Sequence, residues 1–121
     1  MKPYLSIVIP YYNNLEGLRK LLSSLQKSKQ APPYEIIVVD DGSTTKPDIR
    51  NTKYEIRVVR LPKNHGPAIA RNRGVAAAKG EFVVFLDGDV EVFPDTLYQI
   101  AKVFKDDPDV VALTGVWVKE Q

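Results

Sequence analysis

Compact apolar runs rich in β-branched residues alternate along this chain with segments of helical spacing. Leu5 to Pro10 is the first such run, a length that suits a buried strand. After it, Leu15, Leu18, Leu21, Leu22 and Leu25 fall on one face of a helix, and Asn13 with Glu16 has the form of a capping box. "APPY" ends that helix, and Tyr34 to Val39 reads as a second buried strand. "TTKPDIRNT" is polar and reads as irregular or weakly helical. "EIRVVRL" follows as a third strand whose alternation suggests a sheet edge. Pro67 suits the first turn of a helix running to about Lys79, with Gly80 as its stop and alanines that let it pack close to a sheet. "EFVVFL" is the fourth strand. Pro94 and Asp95 open another helix, with Leu97, Ile100, Ala101 and Phe104 on one face and Pro108 ending it. "VVALTGVWV" reads as a fifth strand.

Alternation of this kind predicts a three-layer α/β/α architecture, a mainly parallel, Rossmann-like sheet with helices on both faces. The 121 residues fit one domain. A formal net charge of +2, with basic residues scattered, gives no footprint for nucleic acid or an anionic membrane. There is no cysteine, which excludes disulfides, thiol catalysis and zinc thiolate sites and fits a reducing cytoplasm. No apolar run approaches bilayer-spanning length, and the tyrosines and asparagines after Pro10 do not read as a signal peptide.

In open parallel sheets, ligands bind outside the carboxyl ends of the strands. The distinctive residues fall there: Pro10 and Tyr12 at the first strand, Asp40 and Asp41 at the second, Lys63 and Asn64 at the third, then Asp87 and Asp89 at the fourth. Asp87-Gly88-Asp89 suits a divalent cation carrying phosphates, because Mg2+ and Mn2+ take one or two carboxylates and leave positions for water and phosphate. It also fits an ordinary Asp-Gly turn. Asp40-Asp41-Gly42-Ser43 could hold a base or ribose, or could be an Asx turn. A diphosphate near the start of the third helix would gain from its dipole and from Arg71, whereas Arg73 reads as a solvated face. His65, the lone histidine, reads as incidental to the site. The first strand is not followed by G-x-G-x-x-G, no Gly-Lys-Ser/Thr loop occurs, and no serine-histidine relay stands out.

Read in series, "SIVIPYYNN", "EIIVVDDGS" and "NHGPAIARNRGVAAAKGEFVVFLDGDV" resemble the family 2 glycosyltransferases. The resemblance runs from Leu5 to about Val118. It implies the GT-A fold and an inverting transfer from a nucleotide-diphosphate sugar, with uridine as the expected base. It implies that Pro10 and Tyr12 line the nucleoside pocket, that Asp41 contacts the base, and that Asp40 shapes or assists that turn. Asn64 to Gly66 and Arg71 would border the nucleotide. Asp87 and Asp89 would form the "DxD" element with Mn2+ or Mg2+, Asp89 as direct ligand and Asp87 toward ribose or bound water.

The family continues beyond this point into a half that supplies the acceptor site and the general base. Glu120 lacks the context to match that base. The chain therefore reads as the donor-binding half, truncated or partial and inactive alone, with the base expected beyond Gln121. A saccharide or lipid-linked acceptor would complete the reaction, at a cytoplasmic location or the cytoplasmic face of a membrane. Two alternatives stand beside this reading. One is a nucleotide-sugar-binding module without catalysis. The other is a haloacid-dehalogenase-like phosphatase, which also carries Asp-x-Asp after an apolar strand.

Overall fold

A computed structural model describes residues 2–47, 49 and 56–113. Four parallel strands, β1 (Leu5–Tyr11), β2 (Tyr34–Asp41), β3 (Ile56–Leu61) and β4 (Phe82–Phe85), form one sheet in the order β3-β2-β1-β4. The central pair, β1 and β2, aligns Leu5 with Tyr34 and Tyr11 with Asp40. Both strands are buried on both sides, which is why they read as unbroken apolar runs. β3 lies at an edge, as its alternation predicts.

Side chains alternate between faces along a strand, and this sorts the core into two layers. Leu5, Ile7, Ile9 and Tyr11 of β1 join Ile36 and Val38 of β2 beneath α1 (Leu15–Gln26) and α3 (Thr96–Asp106). Leu18, Leu21, Leu22, Leu25 and Leu97 complete that layer. On the other face Val8, Ile37, Val39 and Leu61 meet α2 (Pro67–Ala77) through Ala70. Gly74 lets α2 pack tightly on the sheet, since a Cβ there would stand 2.3 Å from Val8 Cγ1. The expected three-layer α/β/α architecture is therefore present.

Local details depart from the sequence reading. The first helix is capped by Asn14, whose side chain accepts the Gly17 N–H at 3.0 Å, rather than by Asn13. Asn13 instead adopts a left-handed conformation, φ 50°, and serves a neighbouring loop. α2 ends at Ala77, short of Lys79, and Gly80 does not stop it. Gly80 is needed for a different reason: a Cβ there would lie 2.6 Å from Ser6 Oγ. Val110–Leu113 form no strand and Thr44–Pro47 form no helix; the rest of the expected fifth strand, and residues 48 and 50–52 of the weak helix expected before β3, lie outside the described residues.

At the amino ends of the strands, a polar cluster fastens the α2 side of the fold. Glu35 accepts hydrogen bonds from Ser6 Oγ (2.6 Å), the Lys79 N–H (2.6 Å) and Arg57 Nη2 (2.7 Å). Arg57 also donates to the Ala77 carbonyl at 2.6 Å, and Ser6 Oγ accepts the Gly80 N–H at 2.7 Å. Burial alone would raise the Glu35 pKa. The Ser6, Lys79 and Arg57 donors outweigh it and hold this carboxyl below the ordinary glutamate value.

Candidate functional site

The chain leaves β1 for β2 in one direction across the sheet and leaves β3 for β4 in the other. The crevice of such a sheet opens between the carboxyl ends of the strands where the direction reverses, here β1 and β4. Pro10 to Tyr12 line one side of it and Asp87 to Asp89 the other. Leu86 continues the ladder past β4 by donating its N–H to the Val8 carbonyl at 3.1 Å. The turn then packs so closely on β1 that a Cβ on Gly88 would meet the Pro10 carbonyl at 3.1 Å. That contact accounts for the glycine between the two aspartates.

Asp87 and Asp89 are both exposed. Asp87 Oδ1 accepts a hydrogen bond from Arg71 Nη2 of α2 at 3.2 Å, with both side chains more than a third exposed. An open pair of this kind adds little to stability, but it brings Arg71 to the aspartate turn across the crossover. Among the described residues no three or more histidines, cysteines or acidic residues converge as a preformed metal cage. Two exposed carboxylates fit a hard divalent cation that brings further oxygen ligands with it, such as diphosphate and water.

The carboxyl end of β2 is built around two buried carboxylates. Asp40 has no exposed surface. Its carboxylate accepts from the Ser43 N–H at 3.0 Å and from Arg60 Nη1 at 2.9 Å. It therefore shapes the turn and offers no open face to a ligand. Asp41, 4% exposed, accepts from the His65 N–H at 2.8 Å and the Gly66 N–H at 2.9 Å. Its two oxygens retain acceptor capacity, but their present work is to hold the β3–α2 loop. Asn64 sits in that loop against Gly42, which has φ +75° and where a Cβ would lie 2.5 Å from Asn64 N. Only glycine meets both demands, the left-handed backbone and the close approach.

Tyr12 is half exposed at the mouth of the crevice, while Tyr11 beside it is buried. Burial, then the nearby charge of Asp40, raises the Tyr11 pKa against the opposing charge of Arg19. The His65 side chain is exposed, and only its backbone takes part in the loop contacts described here.

Of the expected site residues, Pro10 near the end of β1, Asp41 at the end of β2, Arg71 early in α2, and Tyr12, Asn64, Gly66, Asp87 and Asp89 on loops thus lie at one end of the sheet, with Asp40 beneath them. The sequence reading missed Asn13, Ser43, Thr44 and Arg60, which join these loops. Asn13 donates its N–H to Ser43 Oγ at 2.9 Å and accepts from the Thr44 N–H at 3.0 Å. The "NN" and "GST" stretches were legible as turn formers, but nothing in sequence paired them.

A family model described as glycosyl transferase family 2 matches residues 6–121. A dolichol-phosphate mannosyltransferase from Pyrococcus furiosus is 33% identical over 118 residues, 94% of this chain and 33% of that protein. S. aureus TarS 1–349, solved in complex with UDP-GlcNAc, is similar with a TM-score of 0.73 and 32% identity over 88% of this chain and 32% of that one. The mannosyltransferase PcManGT from Pyrobaculum calidifontis, solved with GDP-Man and Mn2+, shares the fold with a TM-score of 0.74 at 24% identity, over 91% of this chain and 34% of that one. The chain spans about a third of the length of these relatives. With its motifs in order, its sheet of the same architecture and the family match running from β1 to Gln121, the chain belongs to glycosyltransferase family 2.

Proposed function

We propose that this chain is the donor-binding half of an inverting glycosyltransferase, and that it holds a UDP-sugar together with Mn2+ or Mg2+. The observation that carries the reading is the crevice between β1 and β4. It has exposed carboxylates on one wall, an exposed tyrosine on the other, and Arg71 reaching in from α2. The 32% identity to a protein solved with UDP-GlcNAc favours uridine.

In this reading Pro10 and Tyr12 form the nucleoside wall and Asp41 receives the N–H of the base. Asn64, Gly66 and Arg71 border the diphosphate. Asp89 holds the cation, and Asp87 meets ribose or a metal-bound water. A bound cation would neutralise the diphosphate as it becomes the leaving group. Arg71 adds positive charge on the same side, where one guanidinium can bridge two phosphate oxygens. The base that deprotonates the acceptor hydroxyl is assigned to sequence beyond Gln121, and the acceptor to a saccharide or lipid-linked hydroxyl.

The haloacid-dehalogenase-like alternative is not carried forward, since the family match takes in residues 6–121. Calorimetric titration of the chain with UDP, GDP, CDP and ADP, in Mn2+ and in chelator, tests the proposal. UDP should bind most tightly, and more tightly with Mn2+. Failure of every nucleotide to bind would overturn the donor-site reading. Equal UDP affinity in Mn2+ and chelator would overturn the metal assignment.

A further inference from the structure

Arg60 stands on the edge strand, 38% exposed at its side chain, and belongs to none of the motifs that mark the site. Its guanidinium spans two acceptors. Nη1 donates to Asp40 Oδ2 at 2.9 Å and Nη2 donates to the Ser43 carbonyl at 2.9 Å. Asp40 Oδ1 meanwhile accepts the Ser43 N–H at 3.0 Å. Ser43 is thus gripped at both of its backbone polar groups and is 2% exposed.

Its hydroxyl has one further task. It accepts the Asn13 N–H at 2.9 Å, and the Asn13 side chain returns across the gap to Thr44 N (3.0 Å) and Thr44 Oγ1 (3.2 Å). Asn13 holds φ 50°, in the left-handed region that asparagine tolerates better than most L-residues. Asn13 immediately follows Tyr12 and precedes the helix cap Asn14. The lacing therefore fixes the loop on which Tyr12 is displayed.

We propose that Arg60 is a positioning residue for the nucleoside wall: acting through Asp40 and Ser43, it presets the β1–α1 loop for the donor base. The inference rests on the donor-site reading above and names the part of the ligand it affects. A flexible loop would have to be ordered on binding, and preorganisation removes that cost. Lysine cannot replace arginine here, because a point charge on a flexible stem cannot bridge a carboxylate and a carbonyl as a planar fork does. Arg71, Asp87 and Asp89 take no part in these contacts, so diphosphate binding should not depend on Arg60.

The test compares UDP with inorganic pyrophosphate, both titrated in Mn2+, on the wild-type chain, Arg60→Lys and Asn13→Gly. Arg60→Lys keeps a cation near buried Asp40. Asn13→Gly keeps the left-handed backbone and removes only the exposed side chain, so it remains informative if the arginine variant is poorly folded. UDP affinity should fall about five- to tenfold in both variants, the scale of leaving a loop side chain to be ordered on binding. Pyrophosphate affinity should stay within twofold of wild type, on the order of experimental scatter. A merely structural role would weaken both ligands alike, and that result, or unchanged UDP affinity in both variants, overturns the inference while leaving the donor site intact. A wild-type chain that binds pyrophosphate but no nucleotide overturns the donor-site reading as well.

Discussion

Asp40 and Asp41 are consecutive in β2, yet their carboxylates organise different loops on opposite faces of the sheet. Asp40 lies on the α1 face and binds Arg60 and Ser43; Asp41 lies on the α2 face and binds the backbone of His65 and Gly66. The period of two along a strand separates them. Repulsion between the neighbours is thereby reduced, and each is met by its own donors.

Asp41→Ala should weaken UDP binding by about 1.5–3 kcal/mol, the scale of a charge-assisted hydrogen bond, and leave Mn2+ binding nearly unchanged. It should also lower the urea midpoint, because two loop amides lose their acceptor. Parallel loss of UDP and Mn2+ affinity would indicate collapse of the whole site instead.

Asp89→Asn should reduce metal-dependent UDP affinity more than Asp87→Asn, by at least roughly the 10- to 100-fold seen when outer-shell partners of a metal site are lost. Asp87 already shares its charge with Arg71 at 3.2 Å. Both variants should keep the wild-type melting temperature within a degree or two, on the order expected for exposed surface positions. Calorimetry across a Mn2+ series reads the ranking, and the reverse order would exchange the two roles.

Gly74→Ala sets two effects against each other. Alanine gains about 1 kcal/mol in helix propensity over glycine. The added Cβ would stand 2.3 Å from Val8 Cγ1 and 3.3 Å from Val39 Cγ2, and overpacking of a tight core costs about 1–3 kcal/mol. The clash should win, with a net loss of roughly 1–2 kcal/mol in chemical denaturation. A more stable variant would show that α2 can lift from the sheet freely.

Glu35 gives the fold a defined acid response. Its folded pKa lies below the unfolded value near 4.5, so the native state binds fewer protons there. The stability it contributes is fully present above that value and is lost as pH falls through the folded pKa. Glu35→Gln should cost about 1.5–3 kcal/mol at pH 7, and the gap from wild type should narrow steadily below about pH 5. Urea unfolding at a series of pH values measures it; a gap that does not change with pH would remove Glu35 from the acid response.

What was legible in the sequence follows from the range over which each signal acts. Apolar runs and helical spacing are local, so β1, β2, α1 and the edge position of β3 could be read directly. Pro67 at the start of α2 was legible for the same reason. The aspartates were legible as site markers, but not the buried work of Asp40, because Arg60 lies 20 residues away. Asn13 resembled a cap because Asn and Glu three apart usually form one. Its actual partners, Ser43 and Thr44, were about thirty positions on and invisible to any short window. The Ser6, Glu35 and Arg57 cluster gave no signal at all, since Glu35 lies 29 positions from Ser6 and 22 from Arg57.

That cluster sits at the amino ends of the strands, while the crevice opens at their carboxyl ends. The separation makes the fold tolerant of change where change is useful. A substitution that reshapes the mouth of the crevice need not disturb the closure fastened by Glu35 a strand's length away. Sites more than about 7–10 Å apart with no shared partners contribute to stability independently. A scaffold arranged this way can vary its carboxyl-end loops while inheriting its foundation unaltered, and directed evolution of the loops could leave Ser6, Glu35, Arg57 and Gly80 out of the library.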